Sequence, residues 1–212
     1  NPDSILAITG PEGTNWQKEL LGTGHYANYN LSVSGGSKDF SYRLSGNLVD
    51  QTGIAMNSSY KRYQTNLNLI KHFNSKFSMG LNLNLARYRR APGSGVNFGS
   101  TAGWKNSILA LPPTMAARKP DGSPEDFNPI AYFGGGIVNT SLAQAEMITE
   151  YTTYNDLLGT LYATYEIVDG LTFKSSVGVH LSNSTYHEYD PSYLPSNVAS
   201  QAEFGYARTD IG

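Results

Sequence analysis

Residues that could carry out chemistry are few in this 212-residue chain. His180 and His187 lie seven positions apart, and two imidazoles within reach of each other can bind a metal ion. No supporting carboxylate cluster occurs at ligand spacing, so we expect them to be wall and loop residues. The chain has no Cys, which excludes thiolate nucleophiles, disulfides and Cys-ligated zinc. A Gly-rich string at 93–98 lacks the third glycine of a dinucleotide-binding loop.

A small acidic group, formed by Asp121, Glu125 and Asp126, is the other candidate for a metal site. Its first part, Asp-Gly-Ser-Pro at 121–124, predicts a turn. A calcium loop needs a denser and regularly spaced set of oxygen ligands. No acid/base pair or nucleophile can be assembled either. We therefore expect no enzyme activity, no cofactor and no metal.

Aromatic residues give a better functional lead. Several stand in or beside stretches without strand periodicity, among Asn, Asp and Gly. Rings next to hydrogen-bonding side chains can stack on sugars or contact peptides, although they can equally pack the loops on themselves or against a partner. The candidate substrate-binding residues are Trp104, Tyr132, Phe133, Tyr186 and Tyr189.

Composition excludes several classes of protein. Only 15% of residues are charged and the net charge is −2, which does not suit nucleic-acid binding. An aromatic content of 12% argues against disorder. The longest apolar run, 108–111, is far too short for a membrane-spanning helix. The first residues lack the basic and apolar regions of a signal peptide and an initiator Met, so we expect a processed product or part of a longer chain.

Alternation of apolar and polar residues is the dominant pattern and predicts β-strands. Tyr29, Leu31 and Val33, for example, alternate with Asn and Ser. Strands of about 10 to 12 residues are long enough to cross a bilayer at a tilt of roughly 45°. We expect six strands, at 24–34, 40–49, 60–71, 77–87, 154–167 and 171–182.

The connections between these strands alternate between short and long. Turns are expected at 35–39, 74–76 and 168–170, and longer connections at 50–59, at 89–153 and from 182 onward. The loop 89–153 is rich in Gly and Pro and has helix candidates at 102–111 and 141–150. Short turns at one end and long loops at the other are typical of outer-membrane barrels. The sequence thus predicts an all-β fold, an antiparallel up-and-down meander that is part of a transmembrane outer-membrane β-barrel with long extracellular loops.

Each strand has one apolar face, expected to meet lipid, and one rich in Asn, Ser, Thr and Gly, expected to meet a wet lumen. A soluble β-sandwich also alternates, but its exposed face normally carries many Lys and Glu residues. Expected to face lipid are Leu31, Val33, Leu44, Leu67, Leu81, Leu83, Phe173 and Val177. Expected to face the lumen are Asn30, Arg43, Asn68, Asn82 and Lys174.

Aromatic residues at both strand ends resemble the two interfacial girdles of a membrane barrel, although strands favour aromatics in any case. Near the short turns these are Phe40, Tyr42, Phe73, Phe77 and Phe173. Near the long connections they are Tyr60, Tyr63, Tyr88 and Tyr154, which we expect on the apolar face.

Particular strings resemble the SusC/RagA family of TonB-linked outer-membrane transporters from Bacteroidetes. The longest is Asn-Tyr-Asn-Leu-Ser-Val-Ser-Gly-Gly-Ser at 28–37, preceded by Asn-Trp-Gln-Lys-Glu at 15–19. Tyr29 departs from the His expected between the two asparagines. Further strings, in family order, are Asp-Gln-Thr-Gly-Ile at 50–54, Tyr-Lys-Arg-Tyr at 60–63, Pro-Pro at 112–113, Asn-Pro at 128–129 and Gly-Leu-Thr-Phe-Lys-Ser-Ser-Val-Gly at 170–178.

The resemblance implies a barrel of about 22 strands with an N-terminal plug, located in the outer membrane of a Gram-negative cell. It also implies energy from TonB, a SusD-like surface lipoprotein as partner, and import of oligosaccharides or peptides. Residues 1–212 would supply about six of the strands, and neither the plug nor the TonB-contacting segment is recognisable in them. Two alternatives stay open: a soluble or surface glycan-binding β-sandwich, and another outer-membrane barrel such as a porin or an adhesin.

Overall fold

The computed structural model of the chain describes residues 13–93, 113, 116–124, 141–190 and 206–211. Within them lies one antiparallel sheet of seven strands, arranged in chain order. This meander confirms the predicted fold class. The strands are β1 (His25–Gly36), β2 (Phe40–Thr52), β3 (Ser58–His72), β4 (Phe77–Pro92), β5 (Thr149–Val168), β6 (Leu171–Asp190) and β7 (Tyr206–Ile211), and the helices are α1 (Trp16–Leu20) and α2 (Ser141–Met147).

The register of the sheet separates two faces, because directly paired residues of an antiparallel sheet point to the same side. Leu44 pairs with Val33 and Leu67, and Leu67 pairs with Leu83. This apolar face holds all eight residues expected to meet lipid, namely Leu31, Val33, Leu44, Leu67, Leu81, Leu83, Phe173 and Val177. The opposite, polar face holds all five expected to meet the lumen, namely Asn30, Arg43, Asn68, Asn82 and Lys174.

Large side chains on the apolar face are exposed. Leu31 is 75% exposed, Val177 is 70% exposed and Phe173 is 58% exposed. In the described part of the chain no second sheet packs on this face, as a β-sandwich would require. An apolar surface of this extent needs a cover, which lipid provides for a barrel wall. No helix in the described ranges has the length and apolar character to cross a membrane.

Strands β5 and β6 are longer than expected, at 20 residues each. At about 3.3 Å per residue they extend roughly 66 Å, well beyond an apolar band about 25 Å tall. The expectation of a polar loop from residue 182 is therefore wrong. β6 continues to Asp190, and β7 pairs with it from Thr185 onward. Beyond the membrane both faces of a strand meet water, so the apolar alternation that marks a strand is absent there.

The long loop is shorter than expected at both ends. β4 continues to Pro92 and β5 begins at Thr149, so the connection is 93–148 rather than 89–153. Helix α2 falls within the predicted 141–150 but ends three residues earlier, at Met147. The helix predicted at 102–111 lies outside the described residues.

A small hydrophobic cluster stands at the long-connection end of the sheet. Asn15 caps α1 by accepting a hydrogen bond from the backbone N–H of Lys18. The strand-like segment after α1 contacts the β2–β3 connection through the bridge between Leu21 and Ala55. The buried members of the cluster are Trp16, Leu20, Ala117, Leu142 and Ala145, with Met56 packed against them.

Arg118 joins the parts of this cluster electrostatically. Its guanidinium lies 3.2 Å from a carboxylate oxygen of Glu19 in α1 and 2.5 Å from one of Glu146 in α2. Glu146 foremost, together with Glu19, raises the pKa of Arg118 above its ordinary value. Asn57, at the start of β3, also donates a side-chain hydrogen bond to the carbonyl of Ala145. Four segments distant in the chain are thus held together.

The turn predicted at 121–124 is present. Asp121 accepts hydrogen bonds from the hydroxyl of Ser123 at 2.6 Å and from its backbone N–H at 2.9 Å. These bonds, the hydroxyl first, hold the pKa of Asp121 below its ordinary value. The Asp121 carboxylate therefore has a structural task in the turn. Glu125 and Asp126 lie outside the described residues.

Candidate functional site

A ladder of neutral amides runs across the polar face. The side-chain amide of Asn47 donates to the side-chain oxygens of Asn28 and Asn30, both at 2.6 Å. Two strands further, Asn84 donates to Asn66 at 2.5 Å. These amides keep further donors and acceptors, because each Asn side chain has two N–H groups and two lone pairs. The result is a wettable surface of low charge that offers hydrogen bonds of both senses.

Three tyrosines form a stack on the same face toward the long connections. Tyr88 on β4 and Tyr154 on β5 are direct pairing partners, with ring centroids 4.6 Å apart and 12° between the ring planes. The ring of Tyr60 on β3 lies 5.9 Å from that of Tyr88. This tyrosine stack, Tyr60–Tyr88–Tyr154, is an aromatic platform on the wall that carries the amides.

The prediction that Tyr60, Tyr88 and Tyr154 belong to a girdle on the apolar face is wrong. Of Tyr60, Tyr63, Tyr88 and Tyr154, only Tyr63 lies on that face, where it is 54% exposed. Successive side chains of a strand point to opposite faces, and Tyr60, Tyr88 and Tyr154 each have the opposite parity to the apolar-face Leu residues of their own strand. The girdle predicted at the short-turn end is confirmed for Phe40, Tyr42, Phe77 and Phe173 by their pairing. Phe73 lies in the adjoining turn with its ring 5.3 Å from that of Phe77.

Arg62 adds a cation beside the tyrosine stack. It pairs with Val49 and Tyr88 in the register, and its terminal nitrogen donates to the side-chain oxygen of Asn47 at 3.2 Å. Its Nε is buried and has no hydrogen-bond partner among the described residues. A guanidinium held by an amide on this face can donate to a ligand oxygen.

Of the candidate substrate residues, the structure describes two. Tyr186 and Tyr189 lie on β6 rather than in a loop, and they point to opposite sides of the sheet. Tyr186 pairs with Thr152 on the polar face, whereas Tyr189 is 50% exposed on the apolar face. The sheet therefore does not bring these two together. Trp104, Tyr132 and Phe133 lie outside the described residues.

His180 is a wall residue, as expected, whereas His187 lies on β6 rather than in a loop. His180 is on the polar face opposite Leu158, and His187 is on the apolar face opposite Tyr151. No group of three or more potential metal ligands occurs in the ranges that the structure describes. The sequence signal for the tyrosine stack was the parity of Tyr60, Tyr88 and Tyr154 relative to the Leu residues of their own strands.

Sequence comparison finds relatives that match this wall of strands. TonB-dependent receptor P3 of Formosa agariphila is 29% identical over 209 residues, which is 95% of this chain and 20% of that receptor. TonB-dependent receptor SusC of Bacteroides thetaiotaomicron is 29% identical over 134 residues, 63% of this chain and 12% of that receptor. The chain thus spans about a fifth or less of the length of these relatives. No family model matches it.

Structural comparison supplies the fold. The structure of the RagAB peptide transporter matches 96% of this chain and 22% of its own matched chain, with a TM-score of 0.75 and 24% identity. A second structure, of the RagAB peptide importer in the "open-open" state, matches with a TM-score of 0.73. The chain matches a barrel segment of SusC/RagA-type TonB-dependent receptors.

The match with SusC/RagA-type receptors confirms the predicted location in the outer membrane. The matched proteins are transport receptors rather than enzymes, in agreement with the sequence-based expectation. In an outer-membrane barrel the outward face meets lipid and the inner face is polar. The apolar face of this SusC/RagA segment is therefore its lipid-facing side, and the amides and the tyrosine stack belong to the lumen.

Proposed function

We propose that this segment forms part of the luminal wall of an importer for oligosaccharides or peptides. The tyrosine stack on the polar face is the observation that carries the proposal. Aromatic side chains contact the apolar faces of sugar rings and of peptide side chains, and the neighbouring amides match their polar groups.

The neutral amide ladder on the luminal wall supports a hydrogen-bonding cargo. Asn28, Asn30, Asn47, Asn66 and Asn84 are all uncharged at any physiological pH. Sugar hydroxyls and peptide amides both donate and accept hydrogen bonds, so the wall suits either class. The descriptions of RagAB as a peptide transporter and of SusC as a TonB-dependent receptor support import by the whole protein.

Tyr186 extends the proposed contact surface across the sheet to β6. It lies on the polar face in the same register row as Tyr60, Arg90 and Thr152. Tyr189 points away from the lumen, so its contact with substrate would take place above the barrel rim. Trp104, Tyr132 and Phe133, in the sequence of the long connection, are proposed as further substrate contacts.

The test uses the full-length receptor in its membrane. Tyr88 and Tyr154 are replaced together by Ala, and Tyr63→Ala is the matched control, because Tyr63 is a tyrosine of similar height on the apolar face. We expect the double variant to lose about tenfold in substrate affinity, since each aromatic contact contributes roughly 0.5–1.5 kcal/mol. Binding and uptake are measured with a panel of labelled oligosaccharides and peptides.

The panel also distinguishes the two cargo classes. A loss confined to oligosaccharides, or to peptides, identifies the class that contacts the tyrosine stack. If an assembled Tyr88→Ala/Tyr154→Ala barrel binds and imports every member as the Tyr63→Ala control does, the stack has no role in transport.

The proposal extends to a SusD-like surface lipoprotein docked at the long-connection end, with TonB coupling through parts of the receptor outside these residues. Longer connections are extracellular in barrels of this type, so a lipoprotein lid would meet the 93–148 connection there.

To test this docking proposal, the segment between Gly93 and Gly136 is deleted in the full-length receptor, and lipoprotein co-purification and uptake are measured. If the barrel assembles and both are unchanged, the segment has no docking role. Loss of partner with uptake retained assigns it to docking alone.

A further inference from the structure

Cationic side chains gather at the long-connection end of the apolar face. Arg87 and Arg89 on β4 are two positions apart and so lie on the same side of the strand. Arg87 pairs with Tyr63, and Arg89 pairs with Lys61. His187 on β6, the pairing partner of Tyr151, is on this face as well. None of these groups belongs to the luminal wall.

This basic cluster, Lys61, Arg87, Arg89 and His187, begins where the apolar band ends. The register row below Arg87 contains Leu85, Leu157 and Leu181, all on the apolar face. One row is about 6.6 Å along a strand, so the guanidinium of Arg87 stands at the border of the hydrocarbon layer. Longer connections are extracellular in this barrel class, which puts the cluster at the level of the outer-leaflet headgroups.

The cluster lines an open depression of about 560 Å³, together with Tyr63, Tyr151 and Thr153. The guanidinium carbon of Arg89 lies 3.5 Å from the centroid of the Tyr151 ring. That ring in turn lies 4.7 Å from the ring of His187. A cation held over an aromatic face keeps its outward N–H groups available for a further partner.

The charge of the depression is positive. Asp50 lies 2.8 Å from Lys61 and compensates it. Among the described residues no carboxylate makes a salt bridge with Arg87 or Arg89. Glu150 and Glu188 pair with each other on the polar face, on the other side of the sheet. Two exposed guanidinium groups are left, and the planar donor fork of each matches two phosphate oxygens.

We propose that Arg87 and Arg89 bind the phosphate-bearing headgroup of a lipid in the outer leaflet. Lys61 and His187 border the headgroup, and the acyl chains lie along Leu85 and Leu181 below it. A phosphate group at this height supplies the negative charge that would balance the two guanidinium groups. The acyl chains of the same lipid cover the exposed row of Leu residues. This lipid site is on the face away from the lumen, so it stands apart from the proposed transport function.

The test uses the full-length receptor purified in detergent. A phosphorylated glycolipid and the same glycolipid after removal of its phosphates are titrated, and the bound lipid is measured by native mass spectrometry. We expect the phosphorylated form to bind at least about tenfold more tightly, and Arg87→Gln/Arg89→Gln to remove that difference. Lys71→Gln is the matched control, because Lys71 is a cation at the short-turn end of the same face. It should leave the difference unchanged.

Equal binding of the two glycolipids to the unmodified receptor overturns the proposal, and this comparison needs no variant. Arg87→Lys and competition by inorganic phosphate are two further measurements. Arg87→Lys retains the charge and the apolar stem, and should keep a weakened preference for the phosphorylated form. If inorganic phosphate competes as well as the glycolipid does at equal concentration, the site recognises a free anion rather than a lipid. If Lys71→Gln weakens binding as much as the Arg variant, the site is not the one proposed.

Discussion

Gly80 on β4 lies directly beneath the ring of Tyr162, its pairing partner on β5. A Cβ built at Gly80 would overlap the Tyr162 ring, which occupies the space that a side chain would need. The ring is also a neighbour of Lys174, whose Nζ lies 4.9 Å from the ring centroid. The absence of a side chain at position 80 thus determines where a luminal aromatic lies, near the short-turn end of the polar face.

Gly80→Ala should destabilise the barrel wall at this point. The Tyr162 ring must swing away from the sheet and lose its contact with Lys174, and overpacking of this kind costs about 1–3 kcal/mol. Gly46→Ala is the matched control, because no atom lies within 4 Å of a Cβ at that strand glycine. Thermal unfolding of the full-length receptor in detergent measures both. Equal melting temperatures for the two variants would contradict the role of Gly80.

The cluster at the long-connection end should depend on apolar burial more than on its ion pairs. Leu142 is fully buried, so Leu142→Ala should cost about 2–5 kcal/mol. Arg118→Gln removes two ion pairs whose side chains are about a third exposed, and such pairs contribute about 1 kcal/mol or less each. Hydrogen exchange of α1 and α2 in the full-length receptor compares the two variants. Faster exchange in Arg118→Gln than in Leu142→Ala would mean that the ion pairs stabilise the cluster more than apolar burial does.

The membrane-spanning parts of the strands were predictable from sequence because a lipid-facing surface demands apolar residues at every second position. Strand β4 was predicted at 77–87 and runs over Phe77–Pro92, and the faces of Leu83 and Asn82 were both correct. Lipid on one side and water on the other impose a strict period of two. The pattern therefore carries the register as well as the strand.

The parts outside the membrane were not predictable on the same grounds. Tyr186 and His187 lie beyond Leu181, the last Leu of β6, so neither position needs an apolar residue. Hydrogen bonding to β5 and β7 extends the strand without leaving a compositional mark. The hydrophobic cluster that includes Trp16 and Leu142 joins segments more than 120 positions apart, which no local pattern reveals. The face of Tyr60, Tyr88 and Tyr154 follows from their parity relative to the alternating Leu residues of their own strands, whereas proximity to the long connections does not distinguish the two faces.

The 212-residue chain on its own should aggregate in buffer. Its sheet has β1 and β7 as outer strands, and unpaired edges recruit further strands. The apolar face adds a continuous surface with Leu31 and Val177 at 75% and 70% exposure. Size-exclusion chromatography with and without detergent measures the outcome, and detergent should recover smaller species. A single monomeric peak with cooperative melting in plain buffer would mean that another part of the chain covers this face.

Leu83 and Asn82 provide the sharpest test of the two faces, because they are adjacent in β4 and point in opposite directions. Leu83 pairs with Leu67 and Gly159 in the middle of the apolar face, whereas Asn82 pairs with Asn68 and Thr160 on the polar face. Leu83→Arg places a charge in the hydrocarbon layer and should cost about 2–4 kcal/mol. Asn82→Arg places the same charge in the wet lumen and should cost about 1 kcal/mol or less, because the guanidinium stays hydrated. The free energy of unfolding of the full-length receptor in lipid vesicles, followed in denaturant, gives both values. Equal costs at the two positions would mean that lipid and lumen are not separated by this sheet.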